Sequence, residues 1–238
     1  MNLLTLANPK LLKGQAEGWA TAALHLAPAD AAGVGNVCPW ASDGCRAACL
    51  NTAGRGGIVR RGETSNAIQD ARKARTRLFM QDRPQFLRRL RRELRDFAER
   101  AHAAHLRPAV RLNATSDLPW ETIDPGLFQE FRTFVRFYDY TKSPQRMHRY
   151  LRGDFVRGYS LTFSRSESNG EHVPGILDAG GNVAVVFRNG LPPFWRRRRV
   201  VNGDRTDLRF LDPRGVVVGL RAKGRAKRDA SGFVVGGA

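Results

Sequence analysis

Short apolar runs, separated by turn and helix-capping residues, recur along the chain. Their alternation predicts strands, and helical periodicity between the later runs predicts short helices. The strands are expected over residues 19–27, 109–113, 135–140, 158–163, 182–187, 200–204 and 216–220, and the helices over residues 125–134, 143–151 and 173–179. Because strands alternate with helices through most of this stretch, the pattern favours parallel strands in one sheet.

Two longer amphipathic segments lie between the first and second predicted strands. Thr64 and Ser65 are expected to cap a helix over residues 66–81. Asp82 is expected to cap a second helix, with Pro84 in its first turn. The apolar residues of this second helix recur at the helical period, at Phe86, Leu87, Leu90, Leu94, Phe97, Ala98 and Ala101. Its opposite face carries Arg88, Arg89, Arg91, Arg92 and Arg95. We interpret this face as a solvated outer surface, and a phosphate-facing patch is the alternative.

The whole pattern predicts a single α/β domain, shaped as a full or partial (β/α) barrel with parallel strands. Residues 1–228 are assigned to this domain, and the small, Gly-rich residues 229–238 are expected to form a flexible C-terminal tail. The sequence contains no run of 18 or more apolar residues, and its first residues lack the basic and apolar regions of a signal peptide. We therefore expect a cytoplasmic protein with no membrane partner.

Positive charge dominates the composition. The chain has 40 Lys and Arg residues against 22 Asp and Glu, which gives a formal net charge of +18. Such a surface attracts polyanions, so an anionic substrate or a nucleic acid is the expected partner. A high-GC genome, which favours Arg codons, would give the same composition without any such partner, and composition alone leaves both explanations open.

All three cysteines of the chain, Cys38, Cys45 and Cys49, follow the first predicted strand with the spacing C-x6-C-x3-C. An odd count disfavours a disulfide framework, and clustered thiols are typical metal ligands. Structural zinc takes four ligands, yet the chain has no fourth cysteine, and His25 is the nearest histidine. A 4Fe–4S cluster held by three cysteines instead leaves one iron open for a substrate or cofactor.

A three-cysteine loop directly after the first strand of a βα series resembles the radical S-adenosylmethionine (SAM) superfamily. That resemblance implies a 4Fe–4S cluster on Cys38, Cys45 and Cys49. It also implies that the open iron binds the amino and carboxylate groups of SAM, which is then cleaved reductively to a 5′-deoxyadenosyl radical.

A closer resemblance is to phage and prophage proteins that are radical-SAM-like and carry a longer cysteine loop of the form CP…C…C. The loop begins with Cys38-Pro39, and the resemblance as a whole covers most of residues 1–225. The further segments that carry it are residues 112–117, 137–142, 159–169 and 203–209. This resemblance implies a phage-type protein without specifying its reaction.

Polar residues follow the ends of several predicted strands, where α/β proteins build their sites. Cofactor binding is assigned to Asn113, Ser116, Ser164, Ser166 and Asn169, and catalytic roles are assigned to Asp117, Lys142 and Glu167. Lys223, after the last strand, ranks below the cysteines. The same residue types also form Asx turns, cap helices and make surface pairs, and this alternative stays open for each of them.

The predicted function is an iron–sulfur, radical-SAM-like enzyme of phage or prophage type that modifies a nucleotide or nucleic-acid substrate. The alternative is a zinc-containing, basic nucleic-acid-binding protein without catalysis. A third hypothesis is a barrel that kept the fold and lost the chemistry. The substrate, the reaction and the oligomeric state do not follow from the sequence.

Overall fold

A computed structural model describes residues 1–6 and 13–236. Its strands are β1 (Leu4–Thr5), β2 (Trp19–Leu24), β3 (Arg107–Arg111), β4 (Arg136–Thr141), β5 (Tyr159–Ser164), β6 (Val183–Phe187), β7 (Phe194–Trp195), β8 (Arg198–Asn202), β9 (Val217–Arg221) and β10 (Val234–Val235). Its α-helices are α1 (Asp43–Ala47), α2 (Ala67–Gln81), α3 (Arg83–Ala103), α4 (Trp120–Ile123), α5 (Pro125–Phe131), α6 (Pro144–Leu151) and α7 (Val173–Asp178). Each predicted strand and helix is present, with bounds that differ by a few residues. Across these described ranges, we find no helix that combines the length and apolar character needed to cross a bilayer.

The strands form one open, mostly parallel sheet. Its order is β1-β2-β3-β4-β5-β6-β9-β8-β7, with β10 beside β6. The inner strands pair in parallel, whereas the two-residue strands β1 and β7 pair antiparallel at the two ends of the order. Within the described residues no pairing joins these two ends, so the expected barrel is not confirmed. The strand predicted to be first is β2, because β1 precedes it.

Residues 203–212, which we call the cover segment, lie on the face of the sheet turned away from the helices. The ring of Phe210 packs on Trp19 of β2 at 4.7 Å and on Tyr138 of β4 at 5.5 Å between centroids. Leu208 is buried in the same small cluster. The cover segment thus occupies the face that would line the inside of a barrel, which gives a physical reason for the open sheet.

The end of the described chain returns to the sheet. β10 pairs in parallel with Val186 and Phe187, the residues of β6 that also pair with β9. It therefore uses the other edge of β6, where β5 pairs with only the first two residues. Phe233 and Val234 are buried. Part of the segment expected to be a flexible tail is thus ordered, because its apolar residues fill the gap between β5 and β6.

Helix α3 presents the predicted apolar stripe to the core. Its buried positions are Phe86, Leu90, Leu94, Phe97, Ala98 and Ala101. Arginines of its outer face pair with carboxylates: Arg89 with Glu93, Arg91 with Asp124 and Glu130, and Arg95 with Glu130. These pairs agree with the interpretation of this face as a solvated outer surface rather than a phosphate-binding patch.

The caps of the two long helices are supplied by short polar side chains. Asp82 caps α3 as predicted, because its carboxylate accepts a backbone N–H of the first turn at 3.0 Å. The predicted cap of α2 at residues 64–65 is wrong. Asn66 takes that place, and its Oδ1 accepts the N–H groups of Ile68 (3.1 Å) and Gln69 (3.0 Å).

Candidate three-thiol site

A cavity of about 200 Å³ opens at the carboxyl ends of β3, β4 and β5, and all three cysteines of the chain line it. The predicted site residues that line it as well are Asn113, Ser116, Asp117, Lys142 and Ser164. The carboxyl ends of parallel strands meet at one edge of a sheet, so the strand-end residues and the cysteine loop come together there.

Cys38 is fixed by hydrogen bonds to its own loop and to the turn after β3. Its N–H donates to Asn36 Oδ1 at 2.7 Å, and its Sγ donates to the carbonyl of Thr115 at 3.6 Å. The N–H of Asp117 donates to the carbonyl of Val37 at 2.9 Å. The first cysteine is therefore held against the turn after β3.

Cys45 lies in the short helix α1, and Cys49 follows two residues after the last residue of that helix, Ala47. Ser42 caps α1, and its Oγ accepts the N–H of Cys45 at 3.2 Å. Cys49 Sγ accepts the N–H of Asn51 at 3.5 Å. Both cysteines are thus held by short local turns, and both line the cavity.

Glu167 anchors the cysteine loop to the loop after β5. Its Oε1 accepts the N–H of Gly44 at 2.7 Å. A Cβ at Gly44 would lie 2.8 Å from this carboxylate and 2.1 Å from Ser231 Oγ, so a larger residue there would displace these side chains. Glu167 does not line the cavity, and its predicted catalytic role has no support in this geometry.

The three thiols are free, and in the part of the chain that the structure describes no three His, Cys, Asp or Glu side chains form a group that could hold a metal ion as they stand. Burial raises the pKa of Cys38 to about 12 and also raises the pKa of Cys49. Both thiols are therefore protonated at neutral pH. A metal bound here has to displace those protons and bring the sulfurs closer together.

His25, the candidate fourth ligand of a zinc site, does not line the cavity. Burial, together with the nearby Arg72 guanidinium, lowers its pKa to about 3, so the imidazole is neutral at physiological pH. The structure therefore does not bring His25 together with the three cysteines.

Asn113 shapes the turn after β3. Its Oδ1 accepts the N–H of Leu118 (3.0 Å), the Oγ–H of Ser116 (2.8 Å) and the indole N–H of Trp120 (3.2 Å). Its Nδ2 donates to the carbonyl of Leu118 at 2.9 Å. Asn113 and Ser116 line the cavity, but these bonds favour the turn-forming alternative over cofactor binding.

Asp117 belongs to a buried ion-pair network. Its Oδ1 accepts Arg146 Nη1 at 2.9 Å, and its Oδ2 accepts the N–H of Lys142 at 2.7 Å. Arg146 also binds both oxygens of Glu121 at 2.8 Å each. Both oxygens of Asp117 are thus engaged in joining the turn after β3 to the end of β4, and the geometry gives no support to a catalytic role.

Lys142 and Ser164 meet on the cavity wall. Lys142 Nζ donates to Ser164 Oγ at 2.7 Å and lies 5.4 Å from the centroid of the Phe233 ring. Among the described residues no carboxylate forms an ion pair with this ammonium group. Of the predicted polar residues, this pair is the one that keeps bonding capacity toward the cavity.

Ser166 and Asn169 do not line the cavity. Asn169 Oδ1 accepts the N–H of Ser166 at 2.6 Å, and its Nδ2 donates to the carbonyls of Lys142 (3.3 Å) and Ser164 (3.2 Å). The cofactor-binding assignment of both residues is therefore unsupported, because their polar groups hold the loop after β5 against the end of β4.

Arg111, Arg221 and Phe233 also line the cavity, although the sequence did not predict them as site residues. Arg111 lies between two apolar residues of the predicted strand, so strand alternation alone could have placed it on the face opposite the helices. Phe233 falls in the segment expected to be a tail, and no local pattern indicated that it returns to the sheet.

The cavity wall is positively charged. It carries the basic residues Arg111, Lys142, Arg221 and Lys223 and the acidic residues Asp117 and Asp204. Arg111 pairs with Asp207 at 3.1 Å, and Lys223 pairs with Asp204 at 2.6 Å. Lys142 and Arg221 have no such partner among the described residues, so the wall can receive an anionic ligand.

The fold and the site define an α/β protein with three free thiols at the carboxyl edge of an open, mostly parallel sheet. The chain belongs to the gene product 88 (GP88) family, a phage-type family whose model matches residues 2–237. No curated protein and no solved structure matches the chain. The phage part of the resemblance is thus confirmed, and nothing in these comparisons links the family to radical SAM enzymes.

Proposed function

We propose that this chain is an iron–sulfur protein in which Cys38, Cys45 and Cys49 hold a 4Fe–4S cluster. The observation that carries this proposal is that all three cysteines line one cavity at the carboxyl edge of the sheet. Because the sequence contains no fourth cysteine, one iron keeps a position free of protein sulfur. That iron is where a ligand in the cavity can bind.

The charges around the thiols support the proposal. A thiolate-ligated cluster is anionic, and cations beside it stabilise the deprotonated sulfurs. Burial raises the pKa of Cys49, whereas the nearby Lys142 and Arg72 lower it. Arg72 Nη1 is itself held at 2.6 Å by Asn51 Oδ1, beside the third cysteine. Two cations beside Cys49 therefore favour its thiolate form, as a cluster ligand requires.

The secondary structure of the cysteine loop is compatible with the rearrangement that a cluster needs. Its regular elements are the five-residue helix α1 and two 3-10 turns, Leu50–Thr52 and Gly54–Gly57. Short elements of this kind are stabilised mainly by their surroundings, so binding can reshape them at small cost. Because binding also releases thiol protons, affinity for the metal rises with pH.

The finer proposal is that the free iron binds SAM and that the protein modifies a nucleotide or nucleic-acid substrate. It is supported by the resemblance of the cysteine loop to radical SAM enzymes and by the unpaired cations Lys142 and Arg221 on the cavity wall. An ammonium and a guanidinium group suit the carboxylate of SAM or a substrate phosphate.

Metal analysis after anaerobic reconstitution with iron and sulfide tests the proposal. We expect about four irons and four sulfides per chain and a brown colour. Cys45→Ala should lose the iron, the sulfide and the colour. Ser116→Ala, which alters the cavity wall without removing a thiol, is the matched control and retains the iron. With SAM added to the reduced protein, a changed electron paramagnetic resonance spectrum supports the finer proposal.

Other metal contents overturn the proposal in distinguishable ways. About one zinc and no iron identifies the zinc-stapled alternative. A colourless chain that binds neither metal supports the third hypothesis, a fold that has lost its chemistry. An intact cluster whose spectrum SAM does not change refutes only the SAM step.

A further inference from the structure

The two-residue turn between β7 and β8 is made of arginines. Arg196 and Arg197 lie between the paired residues Trp195 and Arg198, with φ angles of 48° and 62°. Such turns normally carry Asn or Gly, because residues with longer side chains are disfavoured at positive φ. The chain keeps two arginines there against this preference, and strained turn residues point to a function for their side chains.

One side of this hairpin is anchored to the protein. The Trp195 ring packs edge-on against Phe187 with 6.3 Å between centroids. The Arg196 guanidinium lies 4.8 Å from the Trp195 centroid and donates to the carbonyl of Gly170 at 3.3 Å. Arg198 forms an ion pair with the last residue of α7. These contacts fix the direction in which the rest of the hairpin points.

The remaining side chains of the hairpin form an exposed surface. Phe194 is 64% exposed, and the exposed Arg197 and Arg199 have no ion pair or side-chain hydrogen bond among the described residues. We call these three residues the hairpin surface. An exposed aromatic ring beside unpaired guanidinium groups is the combination that binds single-stranded nucleic acid, through base stacking and phosphate contacts.

We propose that the hairpin surface binds single-stranded nucleic acid, with Phe194 stacked on an unpaired base and Arg197 and Arg199 on the flanking phosphates. Base faces are covered by their neighbours in a duplex and free in a single strand, so one exposed ring favours the single strand. The net charge of +18 supplies the long-range attraction. None of the three residues lines the cavity, so this binding does not depend on the proposed cluster.

The hairpin surface is separate from the cavity. β8 runs parallel to β9, and Val200 pairs with Val217, the first residue of β9, so the start of β8 lies at the amino edge of the sheet. The cavity opens at the carboxyl ends of the strands, and only the long side chain of Arg196 reaches Gly170, which follows the carboxyl end of β5. The proposed nucleic-acid contact is therefore a second site, distinct from the three thiols.

Fluorescence anisotropy with a labelled oligothymidine and with a duplex of equal length tests the proposal on the full chain, purified without added metal. We expect the single strand to bind more tightly. Phe194→Ala should weaken that binding by about 5-fold to 150-fold, the range for one stacked base. The double variant Arg197→Gly with Arg199→Ala should reduce the slope of log affinity against log salt by about 0.7 for each lost phosphate contact.

The matched control is the double variant Arg88→Ala with Arg92→Ala, which removes the same charge from exposed positions of α3 and leaves the salt slope nearly unchanged. Because glycine suits positive φ, Arg197→Gly should keep or raise the Tm, which separates lost binding from misfolding. Equal losses in both double variants, or unchanged binding in Phe194→Ala, overturn the proposal. The proposal is also overturned if the chain binds phosphatidylserine vesicles but not the oligothymidine, and if Phe194→Ala abolishes that vesicle binding.

Discussion

The turn after β3 and the cysteine loop line the same cavity but use their polar atoms differently. In the turn, Asn113 engages both ends of its amide, and both oxygens of Asp117 accept strong bonds. In the cysteine loop, Cys38 and Cys49 make only long sulfur contacts of 3.6 and 3.5 Å. A polar residue at a strand end therefore indicates function only when its bonding capacity is left unused.

The difference separates two kinds of contribution to one site. The turn and its ion-pair network determine the position of the cavity wall. Substitutions in them are therefore expected to lower the free energy of unfolding. Under the proposed function the cysteine loop holds the metal, so replacing its thiols is expected to lower the metal content while the fold persists. Stability and metal content measured on the same variants thus distinguish the two regions.

The largest expected effect is on Arg146, the centre of the network. Arg146→Met leaves Asp117 and Glu121 buried without a counter-charge and should lower the free energy of unfolding by about 3–5 kcal/mol. Chemical denaturation measures the change. Arg152→Ala, at the exposed C-terminal cap of the same helix, is the control and should cost at most about 1 kcal/mol. If the two variants lose equal stability, the network does not support the wall.

An intermediate effect is expected from Asp139, which accepts the N–H of Asn113 at 2.6 Å and the hydroxyl of Tyr159 at 2.7 Å. Burial raises the pKa of Asp139 from 3.8 to about 7. Between pH 3.8 and about pH 7, Asp139 keeps its proton in the folded chain and loses it in the unfolded chain. Its contribution to stability is therefore fully present below about pH 4 and is lost as the pH rises through about 7, by up to about 1.4 kcal/mol per pH unit.

Unfolding free energies measured from pH 4 to pH 8 check this dependence. Asp139→Asn keeps both neighbours within hydrogen-bonding reach and removes the titrating group, so its profile should be flatter than that of the parent chain. Identical slopes would mean that this carboxyl group does not carry the pH dependence.

The smallest expected effect is on Glu167, which joins the two regions by accepting the N–H of Gly44. Glu167→Ala should cost about 1 kcal/mol, and Glu167→Gln, which keeps an acceptor, less. Under the proposed function both variants still take up iron, because Glu167 positions the loop and is not a ligand. Complete loss of iron in Glu167→Gln would instead make the carboxylate part of the metal site.

Much of the fold could be predicted, because local patterns decide it. The stripe of α3 follows from the helical period, and the parallel strands follow from their alternation with helices. The open sheet could not be predicted, since it depends on Phe210 packing against Trp19 and Tyr138, which lie far away along the chain. β10 was missed for a related reason: the two valines in a Gly-rich segment form a strand only because β6 offers them an edge.

The candidate site could be predicted only in part. The spacing of the cysteines and their place after β2 brought them to the cavity edge, together with Lys142 and Ser164. Ser166, Glu167 and Asn169 were expected there because they follow a strand. Whether such a residue faces a cavity or bonds back to its own loop depends on partners from other strands, and the sequence does not name those partners.

The position of β10 has a consequence for the order in which the site is assembled. Phe233 forms part of the cavity wall, yet it is synthesised long after Cys38, Cys45 and Cys49 have left the ribosome. Until β10 pairs with β6, that wall is missing and the cysteine loop is more accessible from solution. A metal centre delivered during synthesis would therefore meet a site without this wall, whereas one delivered to the finished chain has to enter past Phe233.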